Sequence, residues 1–211
     1  MHWKKKLLRN CKLYVILDTQ VNDYTRLFEV AKTAIKNGVG IIQLRDKYGV
    51  AEDILRFSEK VLRIKGDRTL YIINDRLDLA KISGADGVHL GQEDVPVNQA
   101  RTFLGKNVFI GTSCQTFAHV LKAQRLGADY IGFGSVFKTQ TKPDRKPMDH
   151  KLLEKVMKHC SVPVFAIGGM TLDRYRQIKH LGVERIAVCR AVCEARDVSR
   201  AVKNFNDVLI K

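Results

Sequence analysis

Nothing in the chain approaches the roughly 18 consecutive apolar residues of a membrane-spanning helix. The basic opening MHWKKKLLRN runs into NCKLYVILD, which turns polar too soon to supply the apolar stretch of a secretory signal. Both absences point to a cytoplasmic protein without a membrane partner. Proline is scarce, at 4 in 211 residues, and no low-complexity segment occurs, which excludes disordered and fibrous classes. The five cysteines, Cys11, Cys114, Cys160, Cys189 and Cys193, are odd in number and lack CxxC spacing. They therefore suit neither a disulfide framework nor a zinc site, and reduced, mostly buried thiols are expected. Acidic residues are also in deficit, 22 Asp+Glu against 37 Lys+Arg, for a formal charge of +15. That charge favours anionic partners, although most of the lysines read as a solvated basic surface. The interleaved basic and aromatic stretches of a nucleic-acid binder are missing, so no nucleic-acid partner is expected.

What the chain does have is a repeat. GADGVHLG at 84–91 closely resembles GADYIGFG at 127–134, with GVGIIQLR at 38–45 and GVERIAVC at 182–189 as looser relatives. In each, a glycine follows a helix-like stretch and a β-branched run follows the glycine. Strands are predicted at 13–18, 40–46, 70–75, 87–91, 108–113, 130–137, 162–169 and 185–192. Helical spacing marks YTRLFEVAKTAIK, AEDILRFSEKVLR, FAHVLKAQRL, HKLLEKVMKH and LDRYRQIKHL between them. Strands alternating with helices imply parallel pairing, and eight such units predict one (β/α)8 TIM-barrel domain over 1–211, with 1–12 as a basic N-terminal extension. An open doubly wound sheet would need a Gly-rich phosphate turn after an early strand, and LYVILDTQ has none.

Barrel enzymes assemble their sites at the carboxyl ends of the strands. In IIQLRDK the alternation of a strand places Gln43, Arg45 and Lys47 on one face and Ile42, Leu44 and Asp46 on the other. Other strand ends supply Asp18, Asn74, Asp75, Gln92, Glu93, Asp94, Ser113, Thr139, Thr141, Lys142, Gly168, Gly169 and Arg190. The two glycines after strand seven lie where such barrels bind phosphate through backbone N–H groups. Arg45, Lys47 and Lys142, beside Asp75 and Asp94, read as a second anion site holding Mg2+, since that ion is usually bound by one or two carboxylates plus phosphate oxygens. A diphosphate substrate follows. Singly, each signal has a plainer reading: Arg45 and Lys47 as rim ion pairs with Asp46, Asp75 or Asp94, Asn74 and Asp75 as helix caps, His89 as a packed barrel histidine, His119 and His159 as surface residues. Their joint placement on one rim carries the weight.

In order and spacing, QLRDK, IINDR, GADGVHLGQED, GADYIGFGSVFKTQTK and VFAIGGM strongly resemble the thiamine phosphate synthase family, and the match runs from the first strand to the eighth. The resemblance implies a Mg2+-dependent transferase of thiamine biosynthesis, joining a hydroxymethylpyrimidine diphosphate to a thiazole phosphate with release of pyrophosphate. It implies a pyrimidine-stabilised methylene cation captured by the thiazole nitrogen. Carried over by residue, Gln43 lies by the pyrimidine, with Arg45, Lys47, Asn74 and Lys142 on the diphosphate. Asp75 and Asp94 hold the magnesium, and Ser113 touches the diphosphate or pyrimidine side. Thr139 and Thr141 meet the thiazole phosphate region, with Gly169 and the backbone near Cys189 and Arg190 at its phosphate.

The chain departs from the family pattern at Gln115, where a histidine is frequent, at Arg190, where serine is frequent, and near Ser135 and Lys138, where proline is frequent. Fewer prolines leave KTQTKPDRKPMD less rigid, and this loop is expected to close over substrates as a lid. A thiazole tautomerase-like relative would lack the diphosphate set and use the histidine after strand five. A regulatory phosphate- or nucleic-acid-binding barrel would need a continuous basic face, and an epimerase or isomerase barrel a metal-ligating histidine set or a paired acid and base. A homo-oligomer is compatible with the sequence, which sets no subunit count.

Overall fold

The computed structural model describes residues 2–141 and 145–210. Eight strands close a barrel in chain order: β1 Leu13–Asp18, β2 Ile41–Arg45, β3 Leu70–Asn74, β4 Gly87–Leu90, β5 Phe109–Cys114, β6 Tyr130–Phe133, β7 Val164–Ile167 and β8 Ile186–Val188. Every neighbouring pair is parallel, and β8 returns to β1. The helices are α1 His2–Asn10, α2 Tyr24–Lys36, α3 Ala51–Ile64, α4 Leu77–Ser83, α5 Val97–Leu104, α6 Phe117–Arg125, α7 His150–His159, α8 Leu172–Ile178, α9 Arg190–Cys193 and α10 Val198–Ile210. No helix among the described residues is long and apolar enough to cross a membrane.

Alternation along each strand sorts the core into two bodies. Outward residues such as Val15, Leu17, Ile42, Leu44, Tyr71 and Ile73 pack under the helices, which answer with Leu27, Val30 and Ala34 from α2 and Ile54, Phe57 and Val61 from α3. Each buried Val, Leu, Ile or Phe among them contributes roughly 1.5–3 kcal/mol. Inward residues Tyr14, Ile16, Ile41, Leu70, Ile72, Phe109, Tyr130 and Phe165 fill the lumen. Large rings fit there only because small residues face them: a Cβ on Gly111 would lie 2.1 Å from the Tyr130 ring, and one on Gly132 3.1 Å from His89. Side-chain caps at Asp23, Thr116, Asp149 and Thr171 start α2, α6, α7 and α8.

Two strands end four residues earlier than their sequence pattern. β6 stops at Phe133 rather than 137, because at Gly134 the backbone presses against β7, where a Cβ would sit 2.0 Å from the Ile167 carbonyl oxygen. β8 stops at Val188, and the following residues, read as strand up to 192, wind into the short helix α9. At the opposite end, the basic N-terminal segment is built into the barrel floor. Leu8 joins the lumen cluster, and Lys4 reaches the buried carboxylate of Asp86 at 2.6 Å. Asp86 also accepts from Lys65 Nζ at 2.9 Å and from the Tyr71 N–H at 2.9 Å.

Removing a buried carboxylate that holds two lysines and a backbone N–H leaves those groups uncompensated. Asp86→Ala is therefore expected to lower stability by about 2–4 kcal/mol, measured by urea unfolding. An unchanged midpoint would show that the floor cluster contributes nothing.

Candidate active site

The inward faces of the strands carry a polar chain across the upper lumen. Gln43 Nε2 donates to Tyr14 Oη at 2.6 Å, the Tyr14 and Tyr130 hydroxyls lie 3.0 Å apart, Tyr130 Oη is 3.2 Å from His89 Nδ1, and His89 Nε2 is 3.0 Å from Ser113 Oγ. Burial pushes the Tyr14 and Tyr130 hydroxyls above their ordinary range, so both stay protonated and serve as hydrogen-bonding links. Above this chain Arg45 Nη1 meets Asp18 Oδ2 at 2.7 Å and Gln20 Oε1 at 2.9 Å. Asp18 and Arg45 are register partners on β1 and β2, which puts both side chains on the inner face. Arg45 therefore pairs with Asp18 rather than with Asp46, Asp75 or Asp94. Asp46 points outward, where it accepts from Tyr24 Oη and from the N–H groups of Tyr48 and Gly49.

Over the lumen opens a cavity of about 470 Å³. Of the residues singled out in the sequence, Gln43, Arg45, Asn74, Ser113, Thr139, Thr141, Gly169, Cys189 and Arg190 line it. On one side the chain after β7 turns through Gly168 and Gly169, at φ 105° and 62°. Only glycine fits: a Cβ on Gly168 would lie 2.2 Å from Ser135 Oγ, and one on Gly169 2.5 Å from the Lys138 carbonyl oxygen. Arg174 on α8 donates to the Gly169 carbonyl at 2.6 Å and stacks over Phe137 at 5.3 Å, so it fixes the turn from behind. Arg190 opens α9 and pairs with Glu194.

Lys47, Asp75 and Asp94 stand off the cavity wall as a rim cluster. Lys47 forms an ion pair with Asp75. Asp75, at φ 61°, is the only non-glycine with positive φ among the described residues, and its N–H is tied to the His89 carbonyl at 2.9 Å. Burial first, and then contact with the Asp75 carboxylate, raises the Asp94 carboxyl above the usual range. Two carboxylates thus share one lysine. Lys142 lies outside the described residues.

His89 is a packed, hydrogen-bonded barrel histidine, as its apolar strand suggests. His159 is exposed on α7. His119, read as a surface residue, is half-buried, and its Nδ1 has no partner among the described residues. Tyr14, Arg145 and Arg174 also line the cavity, and no motif marks them. Tyr14 was hidden in an apolar strand, and its inward parity with Ile16 and Asp18 was the available signal. Arg145 and Arg174 are loop and helix cations whose direction only the fold sets. All five cysteines are free, and burial pushes the Cys11 and Cys114 thiols up to about 12.

A closed (β/α)8 barrel thus carries at its C-terminal mouth a buried arginine, a glycine turn and an acidic pair, the layout of a barrel enzyme. Comparison with known proteins narrows the class. The thiamine monophosphate synthase family profile matches residues 13–192. The thiamine-phosphate synthase of Fusobacterium nucleatum is 37% identical over 204 residues, covering 94% of this chain and 99% of that protein. That of Clostridioides difficile is 34% identical over 203 residues, with 95% and 97% coverage. The solved structure of thiamine phosphate pyrophosphorylase from Pyrococcus furiosus superposes with a TM-score of 0.87 at 32% identity, covering 98% of this chain and 97% of that one. The chain belongs to the thiamine monophosphate synthase family.

Tyr14→Phe removes the acceptor of Gln43 and one link of the lumen chain. It is expected to cost about 1–3 kcal/mol in urea unfolding. A neutral result would mean that the Gln43 amide finds another partner without loss.

Proposed function

We propose that this protein condenses 4-amino-2-methyl-5-(hydroxymethyl)pyrimidine diphosphate with a thiazole phosphate, giving thiamine phosphate and pyrophosphate. Family membership and the two anion-receiving ends of one mouth support this reading. The observation that carries it is a glycine turn lining the β7–β8 side of a cavity of about 470 Å³, with a cation and carboxylate cluster on the rim at the β2–β4 side.

In this reading Gln43, held by Tyr14, orients the pyrimidine, and Ser113, held by His89, borders its diphosphate side. Arg45, Lys47, Asn74 and Lys142 receive the diphosphate. Thr139 and Thr141 meet the thiazole phosphate, whose anion rests on Gly169 and the backbone around Cys189 and Arg190. The methylene C–O bond breaks with its electron pair going to the diphosphate, and the thiazole nitrogen lone pair closes the new C–N bond. Negative charge grows on the leaving oxygens as that bond opens. Fixed cations therefore stabilise the transition state more than the bound substrate, and no general base is needed to start the step.

The rim carboxylates fit a divalent cation. Asp75 and Asp94 crowd each other with Lys47 as their shared counter-charge, and the Asp94 carboxyl is held above its ordinary range as a result. No cluster of three or more candidate metal ligands occurs among the described residues, but Mg2+ commonly takes one or two carboxylates and completes its shell with phosphate oxygens and water. Asp75 and Asp94 would hold it, and when bound it would add positive charge beside the diphosphate. The protein so read is a cytoplasmic transferase with small-molecule partners.

The test is to incubate the purified protein with both substrates and Mg2+ and to look for thiamine phosphate and pyrophosphate. Lys47→Ala and Asp75→Ala are each expected to reduce turnover by about a hundredfold or more while leaving the fold intact. Full turnover in either folded variant removes that residue from the mechanism, and no product from the unaltered protein removes the assignment.

A further inference from the structure

One arginine of the cavity wall is held differently from the others. Arg45 is matched by Asp18 and Arg190 by Glu194, while Arg174 spends its Nη1 on the Gly169 carbonyl. Arg145, from the loop between β6 and α7, is half-buried on the same wall. Among the described residues no carboxylate oxygen lies within ion-pair reach of it. Its partner is Gln115, from the loop between β5 and α6. With the amide oxygen turned toward the guanidinium, the orientation that satisfies both side chains, Gln115 accepts from Nη1 at 2.5 Å, Nε at 2.8 Å and Nη2 at 3.2 Å, which leaves the second N–H of each Nη.

A neutral amide fixes the direction of a guanidinium without cancelling its charge, and the planar fork keeps donors free for a ligand. Such an arrangement costs desolvation with no ionic return among the described residues: burial lowers the Arg145 pKa, and the more distant field of Glu93 opposes this. An arriving anion would supply the missing counter-charge. Its place is set by the anchors. Gln115 follows Ser113 by two residues, and Gln92, next to Glu93, donates to the Ser113 carbonyl at 2.6 Å. Arg145 is therefore fastened to the loop after β5, which Gln92 ties to the loop after β4, on the same side as Ser113 and Asp94.

We infer that Arg145 is a further anion-binding residue of the mouth, directed at the diphosphate end rather than at the glycine turn, and that Gln115 is its positioning residue. This inference rests on the diphosphate reading above. It also gives the residue at 115 a role that needs no acid–base chemistry.

Titration calorimetry of the full-length protein, with inorganic pyrophosphate plus Mg2+ in one series and thiazole phosphate in another, tests it. Arg145→Gln is expected to weaken pyrophosphate binding by about tenfold or more and to leave thiazole phosphate within about twofold. Arg145→Lys keeps the charge without the fork and should fall between. Gln115→Leu should weaken pyrophosphate several-fold, and the double variant should bind no more weakly than Arg145→Gln alone, because the amide acts only through the guanidinium. Arg145→Gln with unaltered pyrophosphate affinity, or with equal losses for both ligands, overturns the inference while leaving the diphosphate site standing. Failure of the unaltered protein to bind pyrophosphate overturns the diphosphate reading itself, and this inference with it.

Discussion

The mouth depends on one buried ion pair, Arg45 with Asp18 at 2.7 Å, with side-chain exposures of 11% and 1%. A guanidinium that far from water is tolerated only with a carboxylate and further hydrogen-bond acceptors in place, and Asp18 and Gln20 meet that demand. Parallel register supplies the geometry, since β1 and β2 place positions 18 and 45 side by side on the inner face. Breaking the pair would leave one charge stranded at the top of the lumen. Keeping it fixes a cation at the cavity wall before any ligand arrives, which is the condition under which electrostatic stabilisation needs no reorganisation.

The rest of the barrel holds that arrangement in place. The hydrogen-bonded run from Gln43 through Tyr14, Tyr130 and His89 to Ser113 ties β2, β1, β6, β4 and β5 together just below the cavity. It is possible only because glycines at 111 and 132 make room for the rings. The floor is closed by Leu8 and by the lysines on Asp86, so the lumen is packed below and the cavity opens at the carboxyl ends. Charge at the mouth is graded: matched at Arg45, shared between two acids at Lys47, and oriented by a neutral amide at Arg145.

The architecture was legible because its signals are local and repeated. A glycine after the helix and a β-branched run after the glycine mark β2, β4, β6 and β8, and the five helices named from spacing all form. Boundaries failed where tertiary contact decided them: β6 is cut short by the approach of Gly134 to β7, and the end of β8 gives way to α9. Much of the cavity wall was legible too, since residues at strand ends with inward parity must face the mouth. Side-chain partners were not. Whether Arg45 meets Asp18 or Asp46 depends on register between strands 27 residues apart, and parity alone could have favoured Asp18. Arg145 and Gln115 come together from separate loops, and no periodicity announces such a pair.

The central claim is that positive side chains and an acidic pair at one side of the mouth receive a departing diphosphate. A crystal structure of the protein grown with Mg2+ and inorganic pyrophosphate examines it directly. The account predicts pyrophosphate bound against Arg45 and Lys47, with the metal ion between it and the carboxylates of Asp75 and Asp94. Pyrophosphate seated elsewhere, with Asp75 and Asp94 free of metal, would contradict it.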